Sequence, residues 1–183
     1  MNKFKSILMI AALLAAALPS LAQQKRVSPH ETVSAVIDGS RVTITYGRPY
    51  TKNPKTGESR KIWGGLVPYG EVWRLGADET TTLITQKPLM FGETTVPAGA
   101  YSLFMLPQEN GSAQLIISKQ LGDWGAYQYD QKQDLARIDL KKGSSEKPAD
   151  QLTMAVAKGP AGSGIITITW EDAVYSAHFT VQK

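Results

Sequence analysis

Apolar residues recur at every second position along most of this chain, which is the period of a half-buried β-strand. In the stretch 32–37 one face takes Val33, Ala35 and Ile37, and in 41–46 one face takes Val42, Ile44 and Tyr46. Asp38-Gly39-Ser40 lies between them, and alternation on both sides of Asp-Gly predicts a tight hairpin. The stretches 80–86, 89–91 and 101–106 continue the pattern, and Asn110-Gly111 joins 101–106 to 113–118 as a second hairpin. Weaker strands are expected at 137–141 and 152–157. A third hairpin is expected around Glu171-Asp172, between 165–170 and 174–181. Nine prolines fall beyond residue 22, and each costs about 3 kcal/mol inside a helix. Only 127–137 leaves room for a short helix or a polar loop. The expected fold is all-β: a single antiparallel β-sandwich of about ten strands, with a jelly roll as one form open to it.

The first 22 residues do not belong to this pattern. Lys3 and Lys5 precede an unbroken apolar run from Ile7 to Leu18, followed by Pro19, Ser20, Leu21 and Ala22. Positive, apolar and small residues in that order make a secretory leader, cut after Ala22. A membrane-spanning helix needs about 20 apolar residues, and this run is too short. Residues 23–183 then form one domain, long enough to bury about 70% of its unfolded surface. The leader's two lysines leave 18 Lys+Arg against 16 Asp+Glu, so the mature chain is nearly neutral and no nucleic-acid partner is expected. The chain has no cysteine, which removes disulfides, a thiol nucleophile and a lipidated N-terminus. The expected product is exported, soluble and without a membrane anchor.

The stock of catalytic residue types is poor. There are two histidines, His30 and His178, and no histidine pair at ligand spacing, so neither a metal nor a cofactor is expected. Asp78 and Glu79 are adjacent, and on an extended chain they point to opposite faces. Asp123, Asp130 and Asp134 flank aromatic residues.

One long stretch, from Gly47 to Gly76, is not clearly strand. It carries Arg48, Arg60, Trp63, Trp73 and Arg74 among many turn formers. A loop of this length in a compact domain is functional or disordered, and its tryptophans argue that it packs down. Arg74 sits between apolar residues and needs a partner if buried. Asp78 or Glu79 can supply one as a structural ion pair, or the arginine can serve an anion or a sugar. Trp124, Tyr127 and Tyr129 beside Gly125 either stack on a ligand or plug the end of the sandwich.

Several strings occur in a fixed order: Ile44-Thr45-Tyr46-Gly47-Arg48-Pro49, Arg60-Lys61-Ile62-Trp63-Gly64, Leu66-Val67-Pro68-Tyr69-Gly70, Val72-Trp73-Arg74-Leu75-Gly76-Ala77 and Pro97-Ala98-Gly99-Ala100-Tyr101-Ser102-Leu103. Trp124-Gly125-Ala126-Tyr127 and Asp134-Leu135-Ala136-Arg137 follow. Together they resemble the bacterial domain-of-unknown-function family number 2911, from about Ser28 to the C-terminus. The resemblance implies export, mostly into Gram-negative envelopes, and brings no catalytic residues. Its signature positions here are Arg48, Pro49, Arg60, Trp63, Gly64, Trp73, Arg74, Gly76, Trp124, Tyr127, Asp134 and Arg137. The stretch 50–59 is longer than the family's usual link.

The functional expectation is a non-enzymatic periplasmic ligand-binding or interaction domain. Its ligand-binding residues would be Arg48, Arg60, Trp63, Arg74, Trp124, Tyr127 and Asp134, converging on one concave pocket for a small anionic or carbohydrate ligand. The alternatives are a glycan-active enzyme using two carboxylates and a purely structural envelope module.

Overall fold

A computed structural model describes residues 26–182, so the expected leader lies outside the described residues. The ten strands are β1 (His30–Ile37), β2 (Ser40–Gly47), β3 (Thr81–Thr85), β4 (Leu89–Phe91), β5 (Thr94–Val96), β6 (Gly99–Pro107), β7 (Ala113–Ser118), β8 (Asp134–Asp139), β9 (Lys141–Lys158) and β10 (Gly164–Val181). They form a six-stranded sheet, β1-β2-β3-β6-β7-β8, and a four-stranded sheet, β5-β4-β10-β9, both antiparallel. The chain crosses between sheets after β3, β5 and β8 and otherwise runs as hairpins and meanders, so the sandwich is the plain form rather than the jelly roll. No described helix is long and apolar enough to cross a membrane.

The two inner faces supply the core. Val42, Ile44, Leu83, Leu103, Met105, Leu115 and Ile117 come from the larger sheet, and Leu152, Met154, Ile166, Ile168, Trp170, Tyr175 and Phe179 from the smaller. The alternation that predicted the strands is therefore the alternation between core and solvent. The β1–β2 turn has Asp38 at φ 44 and Gly39 at φ 74, the left-handed pair that an Asp-Gly hairpin requires.

Two local expectations are corrected, at Glu171-Asp172 and in β9, while 127–137 takes the polar-loop form. Glu171-Asp172 does not make a hairpin: β10 runs on through it, paired with β9 along most of its length. The buried positions change phase there, from Ile166, Ile168 and Trp170 to Ala173, Tyr175, Ala177 and Phe179. A β-bulge with Glu171 at φ 53 absorbs the extra residue. The stretch 127–137 holds a single 3-10 turn at Gln131–Gln133, and its end already belongs to β8. β9 is far longer than the strand expected at 152–157 and tolerates Pro148 because it is an edge strand.

The long loop packs down as its tryptophans suggest. Ile62, Val67, Trp73 and Leu75 enter the core, and Trp73 bridges to Met105 of β6. Trp73 stacks on Trp170 with ring centroids 5.8 Å apart, while Trp63 meets Trp73 at 6.2 Å and Tyr175 at 5.4 Å. These rings pack the loop into the core. The loop is thereby held on both sheets, through Trp73 to β6 and through Tyr50 to Gln151 of β9.

Candidate functional site

Residues opposite one another on antiparallel strands share a face of the sheet. Thr32 pairs with Thr45, Thr45 with Thr82, Thr82 with Ser102, and Ser102 with Ser118. Five hydroxyl side chains thus form one row across the outer face of the larger sheet. The row starts in solvent, where the Thr32 and Thr45 hydroxyls are 3.0 Å apart. It ends fully buried at Ser102 and Ser118, beneath the segment 119–133. That segment is held down by the Ser118 hydroxyl donating to the Gln133 carbonyl at 3.4 Å and by the Tyr129 ring against Phe104 at 5.0 Å.

Residues 74–80 clasp this segment. Leu75 at φ 55 and Asp78 at φ 64 are left-handed, which costs a non-glycine residue on the order of 1–3 kcal/mol. Surrounding hydrogen bonds hold them: Thr81 Oγ1 donates to the Leu75 carbonyl at 2.7 Å, and Gly125 N donates to the Asp78 carbonyl at 3.0 Å. Thr80 N donates to the Asp123 carbonyl at 3.0 Å, and Glu79 bridges Trp124. Strain of this kind gathers where a fold presents side chains for use.

The kink at Asp78 has a direct consequence. Because Asp78 is not extended, Asp78 and Glu79 do not point to opposite faces as expected of an extended chain. Both carboxylates reach His30: Glu79 Oε2 lies 3.0 Å and Asp78 Oδ2 lies 4.0 Å from its Nε2. Arg26 joins them, with Nη1 2.7 Å from Glu79 Oε2 and Nη2 2.5 Å from Glu79 Oε1. Burial pushes the Glu79 carboxyl up, but its own backbone N–H, Arg26 and His30 outweigh this and hold it below the usual carboxylate range. Glu79 is therefore a fixed anion at neutral pH and not a general acid. Beside it opens a pocket of about 220 Å³ lined by Arg26, His30, Thr45, Glu79, Thr80 and Thr82.

Arg74 and Tyr127 meet around Gly125, which follows the exposed Trp124 in the chain. A Cβ on Gly125 would lie 2.8 Å from Tyr127 Cε2 and 3.7 Å from Arg74 Nη1, so the ring and the guanidinium share the space a side chain would fill. Trp124 is 59% and Tyr127 85% exposed, which makes them solvent-facing rings and not a plug. Arg74 is half-buried, and among the described residues no acid lies within 4.0 Å of its guanidinium. The expected ion pair to Asp78 or Glu79 does not form. Arg74 Nε, Asp78 Oδ2 and Asp123 Oδ2 are all sealed from solvent without a hydrogen-bond partner. Buried polar atoms normally have one, and Gln120 Oε1 makes a fourth orphaned atom in these two adjoining segments.

The remaining expected site residues lie elsewhere, so the seven do not share one pocket. Arg48 faces the smaller sheet: Nε donates to the Leu152 carbonyl at 3.0 Å, Nη2 to Thr153 Oγ1 at 3.0 Å, and Nη1 is 3.2 Å from Glu31 Oε2. Arg60 donates to the Tyr50 carbonyl and ties the long loop to itself. Trp63 belongs to the aromatic cluster with Trp73 and Tyr175. Asp134 Oδ2 accepts from Tyr129 Oη at 2.6 Å and Arg137 Nε at 2.9 Å. Burial, with the Asp134 carboxylate, pushes the Tyr129 hydroxyl up to about 12.

Sequence reasoning missed the Arg26–His30–Asp78–Glu79 group, whose members are separated by nearly fifty residues and meet only when β1 is laid against the clasp. The one available signal was His30 near the start of the first strand, in a chain with few histidines. Comparison with curated proteins and with solved structures finds no match in either. The family described as a protein of unknown function, DUF2911, matches residues 28–179, and the chain belongs to it.

Proposed function

We propose that this is an exported, non-enzymatic binding protein whose ligand is a carbohydrate held at Arg74, Trp124 and Tyr127. The observation that carries the reading is the exposed Tyr127 ring beside a guanidinium that has no ionic partner among the described residues, with a second exposed ring, Trp124, three residues away in the chain. Sugar rings present C–H faces that stack on aromatics and hydroxyls that both donate and accept. The orphaned Asp78 and Asp123 oxygens suit the hydroxyl protons, and the Arg74 fork suits hydroxyl or carboxylate oxygens. A purely anionic ligand would use the arginine but be repelled by the two acids.

The test is a thermal-shift screen of the purified protein against neutral sugars, uronic acids, peptidoglycan fragments and organic anions. A ligand at 100 times its dissociation constant stabilises by about 2.7 kcal/mol. Binding by a sugar that is lost in Trp124→Ala and Arg74→Met supports the reading. A flat response to every sugar, or sugar binding indifferent to both variants, refutes it. Export is tested by sequencing the N-terminus of the protein from cell fractions, with Gln23 expected as the first residue of the periplasmic form.

A further inference from the structure

We propose that His30, Asp78 and Glu79 form a binding site for a divalent first-row transition ion, and that Arg26 occupies it as a built-in competitor. The proposal shares one atom with the carbohydrate reading, Asp78 Oδ2, and does not otherwise depend on it. One ring nitrogen and two carboxylates can each offer a ligand atom, all within 4.8 Å of one another. In a tetrahedral zinc site with bonds of about 2.0–2.2 Å, neighbouring ligand atoms stand about 3.3 Å apart. The observed 3.0 Å from His30 Nε2 to Glu79 and 4.0 Å to Asp78 bracket that spacing.

Two further observations point to a cation here. Arg26 Nη1 lies 2.7 Å from both His30 Nε2 and Glu79 Oε2. It lies between the imidazole and the carboxylate where a metal ion would, and it takes the carboxylate lone pairs that the ion would use. Asp78 Oδ2, the third ligand atom, is sealed from solvent and left without a hydrogen-bond partner even with Arg26 in place. A guanidinium cannot satisfy three ligands around a point, whereas an ion can. The adjoining pocket of about 220 Å³ leaves a fourth coordination position open to water or a small oxygen ligand beside Thr45 and Thr82. A single imidazole with two carboxylates suits zinc, manganese or iron, and disfavours magnesium and calcium, which take oxygen alone.

The experiment is calorimetric titration of the purified protein with zinc chloride, and of the variants Arg26→Ala, His30→Gln and Asp78→Asn, with magnesium as the control ion. Each variant's fold is verified by its melting curve. Arg26→Ala is expected to bind zinc at one site about tenfold more tightly than the unmodified protein, because the competing cation is gone. His30→Gln and Asp78→Asn are each expected to weaken it at least tenfold, and magnesium should give no heat. Zinc binding seen only in Arg26→Ala also supports the proposal. Absence of zinc binding in both the unmodified protein and Arg26→Ala overturns it. So does binding that is unchanged in His30→Gln and Asp78→Asn, and Arg26→Ala binding no tighter than the parent overturns the competitor role. Cobalt absorption in Arg26→Ala gives a second readout: visible bands that vanish in Arg26→Ala/His30→Gln place the ion on the imidazole.

Discussion

Replacing Arg74 by methionine is expected to make the protein more stable while removing its ligand binding. Arg74 Nε is sealed from solvent with no partner, and no acid among the described residues is within 4.0 Å of the guanidinium. A buried donor left unsatisfied costs roughly 1–3 kcal/mol. The residue is only half-buried, so the low end applies, about 1 kcal/mol. Methionine is unbranched and keeps most of the aliphatic stem's contacts. In a domain of this size a gain of about 1 kcal/mol raises the melting temperature by about 2–4 °C. Arg48→Met is the contrast. It discards two hydrogen bonds from a charged group to Leu152 and Thr153, plus the pair to a partly exposed Glu31. The expected loss is about 2 kcal/mol, nearly all from the two hydrogen bonds, since an exposed ion pair contributes little. Both are read by urea unfolding followed by fluorescence of the four tryptophans. If Arg74→Met loses more than about 1 kcal/mol, the arginine is a structural element and the reasoning fails.

Trp124→Ala and Tyr127→Ala should each change stability by less than about 0.5 kcal/mol, because both rings face solvent, while abolishing sugar-induced thermal shifts; a large loss of stability would show them to be packing residues. Gly47→Ala should destabilise by about 2–3 kcal/mol, because its Cβ would lie 2.3 Å from the Ala77 carbonyl oxygen and push the clasp off β2; denaturation midpoints within experimental scatter would count against the clasp being rigid. Burial holds the Tyr46 hydroxyl up at about 12, against an ordinary value of 10. A raised folded-state value means stability is complete below pH 10, is lost as pH rises through 12, and falls by about 3 kcal/mol in all from this group. Tyr46→Phe should therefore be less stable at pH 8, having lost the bonds to Glu31 and Met154, but show a shallower decline between pH 10 and 12. Equal slopes for the two proteins would refute the assignment.

The clasp shows how a fold can hold a site that weakens it. Two left-handed non-glycine residues, four orphaned polar atoms and a half-buried cation without an ionic partner among the described residues lie within residues 74–123. Each costs free energy, and the aromatic cluster of Trp63, Trp73, Trp170 and Tyr175 anchors the adjacent loop between the sheets. The rigidity of that anchor keeps Arg74 in place without an ion pair of its own among the described residues.

The alternation of apolar residues by itself determined the all-β class, most of the strands and the first two hairpins, because core burial acts on every second residue and Asp-Gly and Asn-Gly accept left-handed turns; it missed the short β5 and split β10 in two. It also determined that the long loop packs, since exposed tryptophans in such number would be costly. Where the local signal was a phase change, as at Glu171, it could not distinguish a hairpin from a bulge, because both interrupt the period in the same way. The site depended on tertiary structure throughout. That Arg48 is bound to β9 while Arg74 is left without an ionic partner follows from which strand each faces, and both are arginines beside apolar residues in the chain. The meeting of His30 with Asp78 and Glu79 needs β1 in register with β2 and a left-handed φ at Asp78. Neither is written in local composition, because long-range pairing and one backbone dihedral decide which side chains share a space.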